Sequence, residues 1–327
     1  MLIDENAAAD LNQVLPVLRS ADAVVLACHV NPDGDALGSM LGFYHAWVGS
    51  GRSAIASFSE PFVTARHYRD LPGLDLIVRP AAVPEAPPVM VTFDCGSVGR
   101  LGDLEVNAKA AGELVVFDHH QSNQRYGSVN LILPEAPATA AVVVKVLDAL
   151  GIPLNRDAAF ALYVALVCDT GRFQYDTTTV ETFQLAERLV AFDLPIAELG
   201  RHLFDEHRFT YLQLLGHVLS NAHLNERLGL VWAAIPDSLQ QQYAVNFEEL
   251  EGAIDSVRSA AEAEVACVLK EDGPGTWRGS LRSVSAVDVS KIAAMFGGGG
   301  HRFAAGFVTT DAPEVTIKRI ESYLQQQ

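Results

Sequence analysis

The sequence predicts an α/β protein: a parallel-sheet N-terminal domain with flanking helices, then a helical connector, then a smaller C-terminal α+β domain. Three observations carry that prediction. Short apolar runs alternate with amphipathic stretches through the first half, as a parallel sheet with crossover helices requires. The runs AVVLAC, PVMVTFDC and ELVVFDHH each lead into acidic or histidine residues. A second set of strand-like runs begins only after residue 227. At 327 residues, 49% hydrophobic and 19% charged, the chain is about twice a typical single domain, so two domains are expected.

In chain order, AVVLAC (23–28), the weaker SAIASF (53–58), PVMVTFDC (88–95) and ELVVFDHH (113–120) predict strands. From Pro137 to Phe173 the pattern becomes helical, in two pieces divided by LGIPLN, whose glycine and proline break a helix. Residues 178–224 predict further helix, interrupted near Asp193 to Pro195. LGLVWAAI (228–235), EVACVLK (264–270) and WRGSLRSV (277–284) then predict a second group of strands, leading into the short helix KIAAMF and the stretch GGGGHRFAAGF. The expected division is residues 1–192, a connector over 193–226, and 227–327.

Lysine and arginine total 23 against 40 acids, a formal charge of −17, which argues against a protein that holds long duplex nucleic acid by its phosphates. A small anionic substrate stays open if bound metal neutralises the site locally. No segment reaches the ~18 uninterrupted apolar residues of a membrane span, and MLIDENAAADLNQ lacks the basic-then-apolar order of a secretory signal. A cytoplasmic protein is the expectation, with no membrane partner. Cys28, Cys95, Cys168 and Cys267 form no CxxC pair, so neither a disulfide framework nor a thiolate zinc site is suggested.

Four strand or helix ends supply acids and histidines: His29, Asp33 and Asp35 in HVNPDGD; Asp94 in FDCGS; Asp118, His119 and His120 in FDHH; and Asp169 in CDTG. Strands of one parallel sheet deliver their carboxyl ends to a common edge, so these residues are expected to converge, with the neighbouring cysteines on the opposite face. Asp-X-Asp alone is commonly a turn or a helix cap, and Asp94 alone is equally a cap for the next helix. Together, carboxylates and imidazoles at one point suit manganese, with iron, cobalt, zinc or magnesium as alternatives. Clustered carboxylates would repel one another and raise their own pKa values unless cations neutralised them. Two metals held ~3.5–4 Å apart can share a carboxylate and a water and clamp both oxygens of an in-line phosphoryl displacement. Gly34 is expected to let the backbone turn between Asp33 and Asp35. Adjacent strand residues point to opposite sides, so only one of His119 and His120 is expected to face the same ion.

HVNPDGDALGS, a strand-end Asp, DHH and DTG, followed by GGGGHRFAAG near the C-terminus, resemble the DHH phosphoesterase superfamily with its associated C-terminal domain. The resemblance covers residues 5 to 325, in order, and is closest to the bacterial enzymes that degrade very short RNA and remove the 3′-phosphate of 3′-phosphoadenosine 5′-phosphate. It implies one metal on His29, Asp33 and Asp94 and a second on Asp35, Asp94, His119 and Asp169. His120 would then meet the scissile phosphate, with Asp118 orienting a histidine, and the active site would lie in an interdomain cleft. In the second domain it implies Arg282 and Ser283, with Gly298, Gly299, Gly300 and His301, as grips for the nucleotide's other phosphate, where an arginine binds bidentately and glycines let backbone N–H groups approach an anion.

Arg100 matches a common family arginine, with an ion pair to Asp103 as the other reading; Asn123 is placed near substrate, with turn closure as the other. Trp277 is expected to be structural or to line the nucleotide pocket. The implied partners are short oligonucleotides and nucleotide 3′,5′-bisphosphates, with monomer or homodimer left open. Rival functions are a phosphodiesterase for cyclic or linear dinucleotide messengers and, from another class, a nucleotide-binding regulator. Single-strand exonucleases of the superfamily need extra basic or aromatic surface, and its pyrophosphatases have a different C-terminal domain.

Overall fold

The computed structural model describes residues 5–284, 286–300 and 302–326. They divide into two compact units, one ending at Asp205 and the other starting at Glu206. The first unit opens with α1 (Glu5–Ser20) and continues through β1 (Ala23–Cys28), α2 (Gly34–Gly49), β2 (Ser53–Ser57), β3 (Val89–Phe93), α3 (Glu105–Ala110), β4 (Glu113–Asp118) and β5 (Val129–Ile132). Four helices follow: α4 (Thr139–Leu150), α5 (Arg156–Asp169), α6 (Val180–Val190) and α7 (Ile196–Gly200). The sheet is parallel throughout, in the order β2-β1-β3-β4-β5. Winding reverses between β1 and β3, and beyond the carboxyl ends of such a pair a sheet leaves room for a ligand.

Burial on both faces explains why the central strands read as continuous apolar runs. Alternation sends Val24, Leu26 and Cys28 into one core with Leu18, Leu41, Val143 and Leu162, while Val25, Ala27, Met90 and Cys95 join Leu101, Leu104 and Ala108 in another. The break LGIPLN resolves into two caps. Gly151 ends α4 at φ 71°, and the Asn155 side chain accepts from Ala158 N to start α5.

The contact between α2 and α5 fixes where the helix ends go. A Cβ built at Gly34 would lie 2.4 Å from Cys168 Sγ, one at Gly38 2.4 Å from Ala161 O, and one at Gly42 2.5 Å from Leu162 Cγ. These glycines sit one turn apart, so α2 presents a bare backbone ridge to α5. Residue numbers fall on α5 as they rise on α2, so the pair is antiparallel and the start of α2 meets the end of α5. The expected role of Gly34 as a pivot is therefore corrected: it is the first helical residue of α2, and its missing side chain makes room for the Cys168 thiol.

The second unit contains α8 (Phe209–Ser220), β6 (His223–Asn225), β7 (Leu230–Ile235), α9 (Asp237–Tyr243), α10 (Ala253–Val257), β8 (Val265–Glu271), β9 (Trp277–Ser283), α11 (Val289–Ala294), β10 (Gly299–Gly300), β11 (Ala304–Thr309) and α12 (Pro313–Leu324). Its sheet runs β10-β11-β9-β8-β7-β6, with β7 and β8 parallel and the other pairs antiparallel. The stretch expected as a connector is shared: α7 belongs to the first unit, and α8 packs Tyr211, Leu214 and Val218 into a core of the second. Among the described residues no helix is long and apolar enough to cross a membrane.

The glycine ridge makes a substitution behave against its usual sign. Replacing an exposed mid-helix glycine by alanine stabilises by ~1 kcal/mol, whereas overpacking a core costs about 1–3 kcal/mol. Gly38→Ala is expected to lower the urea midpoint by that cost divided by the m-value, with the m-value itself unchanged. A midpoint equal to or above the parent's would show that α2 and α5 are not locked together at this point.

Candidate metal centre

Each acidic residue at the carboxyl edge of the first sheet is placed by a local structural duty. Asp33 is the N-cap of α2; its Oδ1 accepts from the N–H groups of Asp35 (3.1 Å) and Ala36 (3.0 Å), while its Oδ2 lies 3.8 Å from His29 Nε2. Asp35, in the first turn of α2, accepts from Ser39 Oγ (2.7 Å) and caps α4 by accepting from the N–H groups of Thr139 (2.6 Å) and Ala140 (3.2 Å). That placement sets its carboxylate at the positive end of α4. Asp94 leaves β3 at φ 53°, a conformation that costs a non-glycine residue roughly 1–3 kcal/mol, and its N–H donates to Phe117 O (3.0 Å). Asp169 closes α5.

The histidines are aimed by their Nδ1 atoms. His29 Nδ1 donates to Val30 O (2.8 Å) and His119 Nδ1 to Ala136 O (3.0 Å), so each turns Nε2 toward carboxylates. His29 Nε2 lies 3.6 Å from Asp94 Oδ2. His119 Nε2 lies 3.3 Å from Asp169 Oδ2, 3.6 Å from Asp94 Oδ1 and 3.7 Å from Asp35 Oδ2. The two oxygens of Asp94 thus face different histidines, and Thr139 Oγ1 donates to Oδ1 (3.1 Å). His120 Nδ1 also lies 3.5 Å from Asp94 Oδ1. The expectation that His119 and His120 point apart by strand alternation is corrected: β4 ends at Asp118, so the pair lies beyond the pleat and both rings border Asp94.

Asp118 is fully buried and holds the turn together. Its Oδ1 accepts from the N–H groups of His119 (2.7 Å) and His120 (3.1 Å) and from His120 Nδ1 (2.7 Å), and its Oδ2 from Asn123 Nδ2 (2.5 Å). The histidine it orients is therefore His120, whose Nε2 is turned away from the carboxylate. Asn123 also donates to Cys95 O (3.1 Å) and accepts from Arg125 N (2.6 Å). That amide serves the turn and Asp118, in line with the turn-closing reading of the two that the sequence offers. Arg100 is exposed and near enough to His29 to oppose its protonation. Asp103, its expected partner, accepts from Ser59 Oγ (3.1 Å) and Glu60 N (3.2 Å). Ser39 and Thr139 join the site as neutral hydrogen-bond donors, without the acid or imidazole that marks its other members. Ser39 had a signal, four residues after Asp35 on one helix; Thr139 had none, because it arrives from another helix.

The electrostatics are those of a cluster short of positive charge. Burial, reinforced by Asp94 and Asp169, pushes Asp35 well above its ordinary value, and burial raises Asp169 to about 6. For Asp94 burial acts upward, but His120, His29 and His119 outweigh it and hold the carboxyl well below its usual range. Burial opposes charge on His29 and His119. Hydrogen bonds to Asp33 and Asp94 nevertheless raise the first to about 9, and Asp169, Asp35 and Asp94 raise the second to about 10. Protons thus supply what cations would supply. The donor set fits divalent metal: His29, Asp33 and Asp94 form one group, Asp35, His119 and Asp169 another, and Asp94, His119 and His120 a third, with the ligand atoms in each within 4.8 Å of one another.

The expected residues of the second unit separate by alternation. Arg282 is half-buried on one face of β9, with Nη1 donating to Leu281 O (3.0 Å). Ser283 is buried on the other face, beside Val265 and Leu281, so the two do not converge. Gly298 and Gly300 are explained by packing, since built Cβ atoms would lie 2.2 Å from Gly306 O and 2.6 Å from Ala304 O; Gly299 is open. His301 lies outside the described residues. Trp277 packs with the Val265–Leu281 core, on the face opposite Arg282.

Because folded-state histidine pKa values are raised, a cation must displace protons to reach these nitrogens. The increase in melting temperature produced by a fixed Mn²⁺ concentration is expected to grow from about pH 6 to about pH 8.5, with protons released on titration. A pH-independent increase would show that metal binds without His29 and His119.

The comparisons with known proteins follow the same division. The model of the DHH family, N-terminal domain, matches residues 23–166, and that of the DHHA1 domain matches residues 232–326. The bifunctional oligoribonuclease and PAP phosphatase NrnA of Thermus thermophilus is 30% identical over 299 residues, covering 90% of this chain and 86% of its own. The probable bifunctional oligoribonuclease and PAP phosphatase NrnA of Streptococcus mutans is 25% identical over 297 residues, covering 90% and 91%. An exopolyphosphatase-related protein from Bacteroides fragilis superposes with a TM-score of 0.88 at 23% identity, over 98% of this chain and 96% of that one, a likeness of fold. With one family domain matched inside each unit, and the acid and histidine cluster built on the first, the chain belongs to the DHH family and is a phosphoesterase.

Proposed function

We propose that the protein hydrolyses very short oligoribonucleotides to mononucleotides, and 3′-phosphoadenosine 5′-phosphate to AMP, at a centre holding two divalent cations, with Mn²⁺ preferred. The observation that carries this reading is Asp94, whose two carboxylate oxygens face His29 on one side and His119 on the other. The likeness to the Thermus thermophilus oligoribonuclease and PAP phosphatase over 90% of the chain supports the substrate class. His29, Asp33 and Asp94 would hold one cation, and Asp35, Asp94, His119 and Asp169 the other. Such ions lower the pKa of a water and neutralise charge on phosphoryl oxygens.

The chain's own residues do the rest. Asp118 holds His120 Nδ1–H, which leaves Nε2 of His120 to meet the phosphoryl group or the leaving oxygen in this reading. Asn123 braces Asp118 from the other side and is a positioning residue. Ser39 and the N–H groups of Thr139 and Ala140 fix Asp35, so that its carboxylate does not swing when charge at the site changes. A net charge of −17 suits substrates short enough to sit within the neutralised site, since a long strand meets repulsion outside it.

An activity panel tests the substrate class: 3′-phosphoadenosine 5′-phosphate, RNA and DNA of about two to twenty-four nucleotides, and cyclic dinucleotides, each with Mn²⁺. Turnover is expected for the bisphosphate and for RNA of a few nucleotides; turnover confined to cyclic dinucleotides would replace this reading with a messenger phosphodiesterase. Asp94→Asn, with its fold confirmed, is expected to lose at least about a thousandfold in kcat, and normal Mn²⁺-dependent turnover would remove the shared-carboxylate assignment. Asn123→Ala is expected to lower kcat about 10–100-fold with KM unchanged for every substrate, whereas a rise in KM alone would return Asn123 to the substrate.

A further inference from the structure

We propose that Asp10, on α1, is a positioning residue for His120 and acts through Arg125, Asn123 and Asp118. This deepens the proposed function and rests on it, because His120 needs aiming only if it meets the phosphoryl group. Each step is a hydrogen bond. Asp10 accepts from Arg125 Nη2 with both carboxylate oxygens, at 2.7 Å each. The Arg125 N–H donates to Asn123 Oδ1 (2.6 Å), and Asn123 Nδ2 donates to Asp118 Oδ2 (2.5 Å). The other oxygen of Asp118 accepts from His120 Nδ1 (2.7 Å). Five residues thus connect α1 to the imidazole that borders Asp94, across the 115 positions that separate Asp10 from Arg125.

Both ends of this path are anchored. Val14 and Leu18 dock α1 into the first core, and the Asp10 side chain is only 14% exposed. The loop after His120 lies along the exit of β3: Gln124 N donates to Gly96 O (2.9 Å), Asn123 Nδ2 to Cys95 O (3.1 Å), and Tyr126 Oη pairs with Thr92 Oγ1 (2.8 Å). Between the anchors Arg125 sits at φ 49°, a backbone conformation that costs free energy in an arginine and that asparagine adopts more readily. Its guanidinium is 50% exposed, and an ion pair so open to water adds little to stability. Stability alone therefore does not account for a strained arginine at this position. What arginine supplies is reach. Its N–H occupies the oxygen of the Asn123 amide while its guanidinium fastens the loop to α1, so the amide keeps its nitrogen on Asp118. With one oxygen of Asp118 held by Asn123, the other stays on His120 Nδ1.

Arg125→Asn keeps a residue tolerant of the left-handed conformation and removes the guanidinium; Asp10→Ala removes its partner. Both are measured for melting temperature, and for kcat and KM with Mn²⁺ on 3′-phosphoadenosine 5′-phosphate and on bis(p-nitrophenyl) phosphate. Each is expected to lose about five- to tenfold in kcat with KM unchanged, and Arg125→Asn to melt at or above the parent. Because the residues act along one path, Asn123→Ala combined with either variant is expected to lose no more than Asn123→Ala alone. Unchanged kcat, losses that multiply, or a loss in Asp10→Ala alone that follows its melting temperature would reduce the pair to a clasp for α1 and overturn the proposal. A rise in KM without a fall in kcat would make Arg125 a substrate ligand and overturn it equally. Turnover of the aryl diester but of no nucleotide by the parent would overturn the proposed substrates, while the coupling to Asn123 is still decided on the diester.

Discussion

The bare backbone contact between α2 and α5 is the constraint on which the metal centre depends. Gly34, Gly38 and Gly42 bring α2 against α5 in antiparallel register, so Asp33 and Asp35 at the start of one helix meet Asp169 at the end of the other. The sheet contributes His29, Asp94 and Asp118 from the adjacent ends of β1, β3 and β4. Neither set alone brings both halves of the centre together. A close-packed interior transmits small shifts, so a displacement of α2 would move Asp33 and Asp35, and one of α5 would move Asp169, against histidines fixed by the sheet.

The carboxylates are kept together despite their repulsion because most are structural hydrogen-bond acceptors before they are anything else. Asp33 caps α2, Asp35 caps α4 and Asp118 closes the turn after β4. The N-termini of α2 and α4 supply partial positive charge to the first two. Asp169 has no such support. It stands at the carboxyl end of α5, where the helix field is negative, and burial raises its pKa. Burial raises Asp35 as well, despite its hydrogen bonds, so both acids beside His119 depend on added positive charge to ionise.

What the sequence made legible was the set of strand ends. β1, β3 and β4 are buried from both sides, so each reads as an apolar run, and the abrupt change to His29, Asp94 and Asp118-His119-His120 marks where each strand leaves the core. Local rules failed where a partner came from far along the chain. The reason for Gly34 is Cys168, and the support for Asp35 includes Thr139; neither is visible in a window of ten residues. Strand alternation stops at Asp118, so it does not separate His119 from His120. It does hold along β9, where it sends Arg282 and Ser283, neighbours in one motif, to opposite faces.

Net charge was informative in sign and silent in place. The value of −17 excludes a surface that grips long nucleic acid everywhere, yet an average over the chain cannot show how few cations a short substrate needs. Alternation along β8 and β9 sets Lys270, Arg278 and Arg282 on one face, where the neighbouring positions on the open side are serine and glycine. In an acidic protein such a strip acts over little more than a Debye length, ~8 Å at physiological ionic strength.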